Sequence, residues 1–330
     1  MEEEKKLTPF RLLPVEDSFP WGSERWNLAD LGWRDTMVRD GWLAGNTMGE
    51  MMETYLDRVV GDDVFEWYGQ QFPFQIKYLS VDTRTPLMVC PSDEVAGPRF
   101  DSLGKEKLWY VADAAPDARF MLGLRKDTDA GTFYAACRQD APEHLLNSVP
   151  VKAGQSFLIP SGTVHAVCGR ATVLEISESS AMDFRLCWNG GDSPDFGLNL
   201  DEALDFIDYR RFPPEMLLGF RLEKGRAEPS PGIVRLASLP QFTASRISLS
   251  DALKTGREGL DSCVAYTCVG GSFILQLPFR EEDGKADYLS VRKGETVLVP
   301  AEVEEFFLVP QEQGAELVEV LVEKRSGRED

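Results

Sequence analysis

The chemistry this chain can offer centres on one histidine. His165 is one of two histidines in 330 residues. It lies in the segment VKAGQSFLIPSGTVHAV, from Val151 to Val167. Ala153-Gly154 and Pro160-Ser161-Gly162 are turn signals. Between them, Gln155 to Ile159 is short and apolar enough for a buried strand. Past the corner, Thr163 to Cys168 alternates, so Thr163, His165 and Val167 share one strand face. Two strands joined by a tight Pro-Gly corner, with an inward imidazole just beyond it, present a ligand atom or an acid/base to the cavity of a small β-barrel. A hydrogen-bonded core histidine is the competing reading. The second histidine, His144, lies on a helical stretch and is given no role.

The same alternation sorts the neighbouring charges. Lys105, Lys107 and Trp109 share one face of LGKEKLWYV, and Glu175 shares a face with Val173 and Ser177. Taken singly, a strand lysine is most often part of a solvated face, and Glu175 with Arg185 also fits a structural ion pair.

The elements that would position these groups are mostly strands. Phe72 to Val81, Pro86 to Pro91, Leu108 to Asp113, Arg119 to Leu124, Ala171 to Ser177 and Met182 to Leu186 read as short strands. Thr36 to Leu43 reads as a hairpin around Asp40-Gly41. Met48 to Val59 has helical spacing of apolar residues, with Thr47 and Glu50 set for a capping box. A second short helix covers Val64 to Gln70. Asp127 to Val149 reads as helix in two pieces, broken near Pro142. Asn199 to Tyr209 reads as an amphipathic helix. Arg210 to Pro231, with its prolines and glycines, is the linker candidate. Short strands alone follow, and VRKGETVLVPAEVEEFF, from Val291 to Phe307, repeats the His165 segment at a shift of 140 residues. His165 falls on Glu305 in that repeat, which gives two similar barrels, one with a potential site and one structural. The expected domains are 1–190, an N-terminal barrel with helical insertions; 191–231, a helical segment and linker; and 232–330, a C-terminal barrel.

Composition excludes several function classes. Formal charge is −20 and pI about 4.6, a surface that repels nucleic acid and anionic lipid. A sugar-phosphate pocket here needs its own local cations. No run of 18 apolar residues exists, so no membrane span is expected. MEEEKKLTPF lacks the apolar core of a signal peptide, and the cytoplasm is the expected location. Six scattered cysteines without a CxxC pair are expected to be free thiols.

Several stretches together carry a resemblance: WGSE at Trp21, FPFQIKYLSV, PSD after Cys90, LGKEKLWYV, PSGTVHA, LEISESS, and FRL at Phe184. With them the chain resembles the class I mannose-6-phosphate isomerases, zinc enzymes with a double cupin fold and a helical insertion. The resemblance runs from about Thr8 to about Tyr209, with a weaker match in the last barrel. It implies a mainly β fold with helical insertions: two jelly-roll barrels, a double cupin, plus a small helical region. It also implies a pocket, in which Lys77 and Lys105 match basic residues, Glu175 an active-site acid and Arg185 the catalytic-site arginine. The usual aromatic-acid ending after that arginine is Cys187-Trp188 here.

The family's zinc ligands are a Gln and a His on one strand, a Glu on the next, and the corner His. Its QVHPND motif reads MVCPSD here, so Met88 and Cys90 replace the first two. Lys107 stands on the position of the Glu, and His165 alone matches. A shift of one residue would offer Glu106 instead, facing away from Lys105 and Lys107. At ~4 Å with an effective dielectric of about 20, a unit charge pair is worth on the order of 4 kcal/mol, and twice that against Zn²⁺. The expectation is therefore no cofactor, with the Lys107 ammonium in place of the ion's charge. Lys77, Lys105, Lys107, His165, Glu175 and Arg185 would bind a small-molecule sugar or sugar phosphate, with turnover through Arg185, Glu175 and Lys105 lost or repurposed. The alternative is an active aldose–ketose isomerase interconverting mannose 6-phosphate and fructose 6-phosphate, holding zinc through Cys90 and His165. A double cupin with a dead pocket is the third reading.

Overall fold

The computed structural model describes residues 5–188, 198–218, 232–256, 260–278 and 287–323. The chain forms two compact units. Each is built on antiparallel strands, as the short punctuated strand pattern requires. Among the described residues, no helix is long and apolar enough to cross a membrane.

The unit holding His165 comprises the described residues of Glu16–Trp26 and Phe74–Arg221. One sheet orders its strands Ser156–Ile159, Lys107–Ala114, Ala171–Glu178, Phe74–Val81, Gly22–Leu28, Val15–Phe19. The other orders them Phe184–Cys187, Leu87–Val89, His165–Cys168, Arg119–Leu124, Leu146–Pro150. Their inner faces share one core: Leu79, Val81, Val111, Phe157 and Val173 from the first sheet meet Phe120, Leu122 and Val167 from the second. The outer face of the second sheet is buried too. Helix Ala130–Arg138 places Phe133 and Ala136 against Leu87, Val89, Ala166 and Leu186. Asp129 caps that helix by accepting from the Thr132 amide. Burying a phenylalanine such as Phe133 is worth roughly 1.5–3 kcal/mol.

The second unit takes the described residues of Met1–Val15, Asn27–Pro73 and Leu222–Asp330. Its two long strands, Val264–Gln276 and Glu305–Leu321, pair along most of their length. The register breaks between Cys268 and Gly270 and again between Gly271 and Phe273; such breaks bend a strand. Only short strands were expected here. Bulges leave the hydrogen-bonding ladder continuous where the sequence pattern shows a gap.

This division corrects the linear boundaries at 190 and 231. Phe10–Leu13 pairs with Thr296–Val299, with Phe10 opposite Leu298. The helices Met48–Tyr55, Asp57–Val60 and Asp62–Tyr68 belong to the same unit, and the amides of Cys263 and Ala301 bond the carbonyls of Val60 and Val59. The N-terminal segments therefore complete the C-terminal barrel. Pairing across some 290 residues leaves no local pattern to read.

Other expectations fared unevenly. The Thr47/Glu50 capping box forms in full, and Arg119–Leu124 is a strand at its expected bounds. The hairpin at Asp40-Gly41 does not form. Met37–Val38 pairs with Phe10–Leu13, and Gly41–Leu43 is a single 3₁₀ turn. The Asn199–Tyr209 helix shrinks to Leu200–Ala203. Helix Asp93–Phe100 lacks a clear apolar stripe, so its sequence carries no helical signal. Of the linker Arg210–Pro231, residues 219–231 lie outside the described ones.

The repeat is geometric as well as textual. Strands Ser156–Ile159 and Thr296–Val299, and the strand starts His165 and Glu305, keep the same 140-residue offset. Gly154 and Gly294 open the two copies at φ 83 and φ 86, a left-handed turn that glycine adopts without steric cost. Glu305 is 41 % exposed and pairs with Lys254, so the second copy carries a surface ion pair where the first carries His165.

Candidate functional site

The inner faces of the first unit are apolar at one end and polar at the other. Alternation along Phe74–Val81 sets Gln75 and Lys77 on the same face as the core residues Leu79 and Val81. The same parity places Lys107 with Trp109 and Val111, Ser177 and Glu175 with Val173, and His165 with Val167. Cross-strand register then joins them. Glu175 lies opposite Lys77 on one side and Trp109 on the other, while Ser177 lies between Gln75 and Lys107.

His165 is buried and its ring orientation is fixed. Nδ1 lies 2.8 Å from the Thr163 carbonyl, so Nδ1–H donates there. That tautomer leaves a lone pair on Nε2. The Lys107 ammonium donates to it at 3.2 Å. Lys107 Nζ also donates to Asp183 Oδ1 at 2.5 Å and lies 3.6 Å from Glu175 Oε2. Burial, with the Lys107 charge second, pushes the imidazole down to about 3, which keeps it neutral at physiological pH. Burial opposes the charge on Lys107, but the Asp183 and Glu175 carboxylates outweigh it and hold the ammonium well above its ordinary range.

The remaining charges form one network. Lys105 Nζ donates to Asp183 Oδ2. Lys77 Nζ donates to Glu24 Oε2 at 3.1 Å, lies 3.5 Å from Glu175 Oε1 and stands over the Trp26 ring. Trp109 Nε1 donates to Glu175 Oε2 at 2.7 Å. Burial would raise the Glu175 carboxyl, but Lys107 and Lys77 bring it down to about 2. Asp183 is likewise held well below its ordinary value against burial, chiefly by Lys105 and Lys107. Three lysines thus face three carboxylates, Glu24, Glu175 and Asp183. Each buried ion would cost several kcal/mol unpaired, and pairing offsets that cost. Side-chain exposure is at most 5 % for the lysines, against 13 % for Glu24 and 19 % for Asp183. Those two carboxylates mark the side of the layer that meets solvent.

Of the anticipated residues, Lys77, Lys105, Lys107, His165 and Glu175 therefore come together. The solvated-face reading of Lys105 and Lys107 does not hold, since each is 1 % exposed. Arg185 lies opposite Met88, which lies opposite His165. Arg185 thus shares the His165 face two strands away, about 10 Å at the usual strand spacing. Glu106, the alternative metal ligand, is engaged elsewhere: its Oε1 accepts from the amide and hydroxyl of Ser161 and holds the Pro160-Ser161-Gly162 corner. Two carboxylates of this network escaped sequence reasoning. Asp183 lies two residues before Arg185, a strand parity that could have flagged it. Glu24 lies in WGSE, one of the stretches that carry the family resemblance.

Cys90 Sγ, His165 and Asp183 offer three potential metal-binding atoms within 4.8 Å of one another. Thiolate, imidazole and carboxylate are all zinc donors, so zinc is chemically plausible on donor type. Lys107 Nζ contacts two of the three donors, and Cys90 donates its thiol proton to Asp183 Oδ1 at 3.2 Å. Burial pushes that thiol up to about 12. An ion would have to displace both the ammonium and the thiol proton. All six cysteines are free thiols.

This geometry, two jelly-roll units with a polar layer inside the first, defines the double-cupin class. No protein-family model matches the chain. Three Bacillus subtilis proteins match part of it. The probable mannose-6-phosphate isomerase GmuF is 29 % identical over 164 residues, 49 % of this chain and 50 % of that protein. The putative mannose-6-phosphate isomerase YvyI is 32 % identical over 152 residues, covering 45 % and 46 %. Mannose-6-phosphate isomerase ManA is 32 % identical over 152 residues, covering 46 % of each. The chain spans about half the length of the curated relatives it matches. Among solved structures, the mannose 6-phosphate isomerase from Bacillus subtilis superposes with a TM-score of 0.77 at 21 % identity, over 95 % of this chain and 99 % of that one. A putative mannosephosphate isomerase from Archaeoglobus fulgidus gives 0.73 at 17 % identity, over 98 % and 100 %. The fold is theirs along nearly the whole chain, and about half of the chain is similar in sequence to these mannose-6-phosphate isomerases.

Proposed function

We propose that this chain is a mannose-6-phosphate isomerase-like cupin that takes a sugar or sugar phosphate into the polar layer of its first barrel. In this reading the Lys107 ammonium, and not a zinc ion, supplies the positive charge beside His165. The observation that carries it is Lys107 Nζ at 3.2 Å from Nε2 and 2.5 Å from Asp183. Lys77, Lys105, Glu175 and Arg185 line the remainder of the site.

Aldose–ketose isomerisation moves a proton between adjacent carbons of an open-chain sugar. It needs a base at the carbon and an electrophile at the oxygens. An ammonium can polarise a carbonyl, less strongly than a dication. Here its donors already face Asp183, His165 and Glu175, so binding without zinc-dependent turnover is the function this arrangement supports best. The acidic balance of the chain argues against a nucleic-acid partner.

One preparation, purified without added metal, serves three measurements: elemental analysis, thermal shift with hexoses and hexose 6-phosphates, and a coupled isomerase assay. Substoichiometric zinc, a ligand-induced shift and no zinc-dependent turnover are expected. A second reading rests on the three donors within 4.8 Å, and makes the protein a zinc-dependent isomerase. Stoichiometric zinc with metal-dependent formation of fructose 6-phosphate establishes it in place of the first. Metal-independent turnover abolished by Lys107→Ala would instead make the ammonium the electrophile.

A further inference from the structure

Gln75 is fully buried on the strand Phe74–Val81, and its side chain lies on the same inner face as Lys77. Across the sheet, Gln75, Ser177 and Lys107 form one row. Neither Nε2 nor Oε1 of Gln75 has a hydrogen-bond partner among the described residues. Beside it, Glu175 Oε1 also lacks an aligned hydrogen bond and faces Lys77 Nζ at 3.5 Å.

A carboxamide offers two N–H donors and two acceptor lone pairs. Native proteins rarely bury such a group with none of them met, because the lost contact with water is not repaid. Farther along the same face the strand carries Leu79 and Val81, so an apolar residue at 75 would suit the core at no such cost. The amide instead sits in one row with Ser177 and Lys107, two residues before Lys77 on the same inner face. Polar groups converging on one layer of a barrel are the usual means of fixing a ligand's orientation.

The chemistry of the row selects the ligand group. An amide both donates and accepts, as a hydroxyl does, whereas a phosphate dianion offers acceptors only. The three lysines of the layer are already matched by Glu24, Glu175 and Asp183, so this corner has no surplus positive charge for an anion. We propose that Gln75 is a specificity-determining residue that reads a hydroxyl of a polyhydroxylated ligand, with Glu175 Oε1 as a second acceptor beside it. The inference rests on the reading of this layer as a sugar site, and it assigns the hydroxyl-bearing part of the ligand, not its phosphate, to the Gln75 end.

Calorimetric titration of the full chain with mannose 6-phosphate, fructose 6-phosphate, mannose and mannitol, repeated on Gln75→Leu, tests it. The tightest ligand is then replaced by its monodeoxy analogues. Wild type is expected to lose about tenfold in affinity with one analogue. Gln75→Leu is expected to bind the parent about tenfold more weakly than wild type does, and to bind the parent and that analogue alike. A merely structural glutamine would not produce that selective loss. If Gln75→Leu binds the parent sugar as tightly as wild type does, the Gln75 assignment is overturned and the sugar site stands. If wild type binds none of the four ligands, the sugar-site reading falls and the role of Gln75 falls with it. Should Gln75→Leu fail to fold, Gln75→Met keeps the length of the side chain without its polar atoms, and the same comparison is read on it.

Discussion

Lys107→Met is the substitution that separates an ammonium-centred site from a metal-centred one. It removes a cation 3.2 Å from the imidazole lone pair and 2.5 Å from Asp183, and leaves Cys90, His165 and Asp183 as they stand. A unit charge pair at roughly 4 Å and an effective dielectric near 20 is worth about 4 kcal/mol, so an ammonium opposes a dication there by about 8 kcal/mol. If relaxation halves that figure, the variant gains about 4 kcal/mol of zinc affinity, a factor of roughly a thousand. The same substitution leaves Asp183 and Glu175 one cation short. Breaking a buried pair in this way costs roughly 3–5 kcal/mol of stability, and a bound ion restores the missing charge. Thermal melting in a zinc series, with cobalt absorption reporting the donor set, follows both effects. Wild type is expected to melt at the same temperature with and without zinc. Lys107→Met is expected to melt lower without the ion and to recover with it. A wild-type protein stabilised by micromolar zinc as strongly as the variant would refute the electrostatic argument.

Three further outcomes follow from the same geometry. His165 titrates near 3 in the folded state against about 6.5 unfolded, so between those values the unfolded chain binds the extra proton. Stability therefore rises with pH through that window, by up to about 1.4 kcal/mol per pH unit, and is full above it. Urea unfolding at pH 4.5 to 7 is expected to show a slope about one proton shallower in His165→Gln, and an unchanged slope would contradict the assigned environment. Thr47→Ala removes a formed capping box and is expected to lower unfolding free energy by about 1 kcal/mol in urea without altering ligand affinity. A Cβ at Gly104 would lie 2.4 Å from the Asp93 amide and 2.5 Å from the Ser92 carbonyl carbon. Gly104→Ala is therefore expected to cost roughly 1–3 kcal/mol by overpacking and to weaken sugar binding by moving Lys105, read by calorimetry on the folded variant.

Much of the site was legible because strand alternation is local. Once Lys105, Lys107 and Trp109 lie on one strand, their common face follows from a period of two, and the same holds for Glu175 with Ser177. The textual repeat at 140 residues likewise predicted two matching corners, since the glycine turn before each strand and the proline after it are fixed by backbone sterics. Where side-chain pattern was weak, the reading failed. Asp93–Phe100 shows no clear apolar face, and Asn199–Tyr209 has one, but only Leu200–Ala203 is helical.

The sequence by itself determined the barrel type, the inward His165 and the arrival of a lysine where relatives are expected to carry an acid. It could not say that Asp183 would answer that lysine, that Glu24 would hold Lys77, or that Phe10–Leu13 would complete a barrel most of whose strands begin past residue 230. Those are contacts between residues scores to hundreds of positions apart. Local sterics fix which way a side chain points along its own strand, but only the pairing of distant strands brings opposite charges within 4 Å of each other, and only burial makes that distance matter.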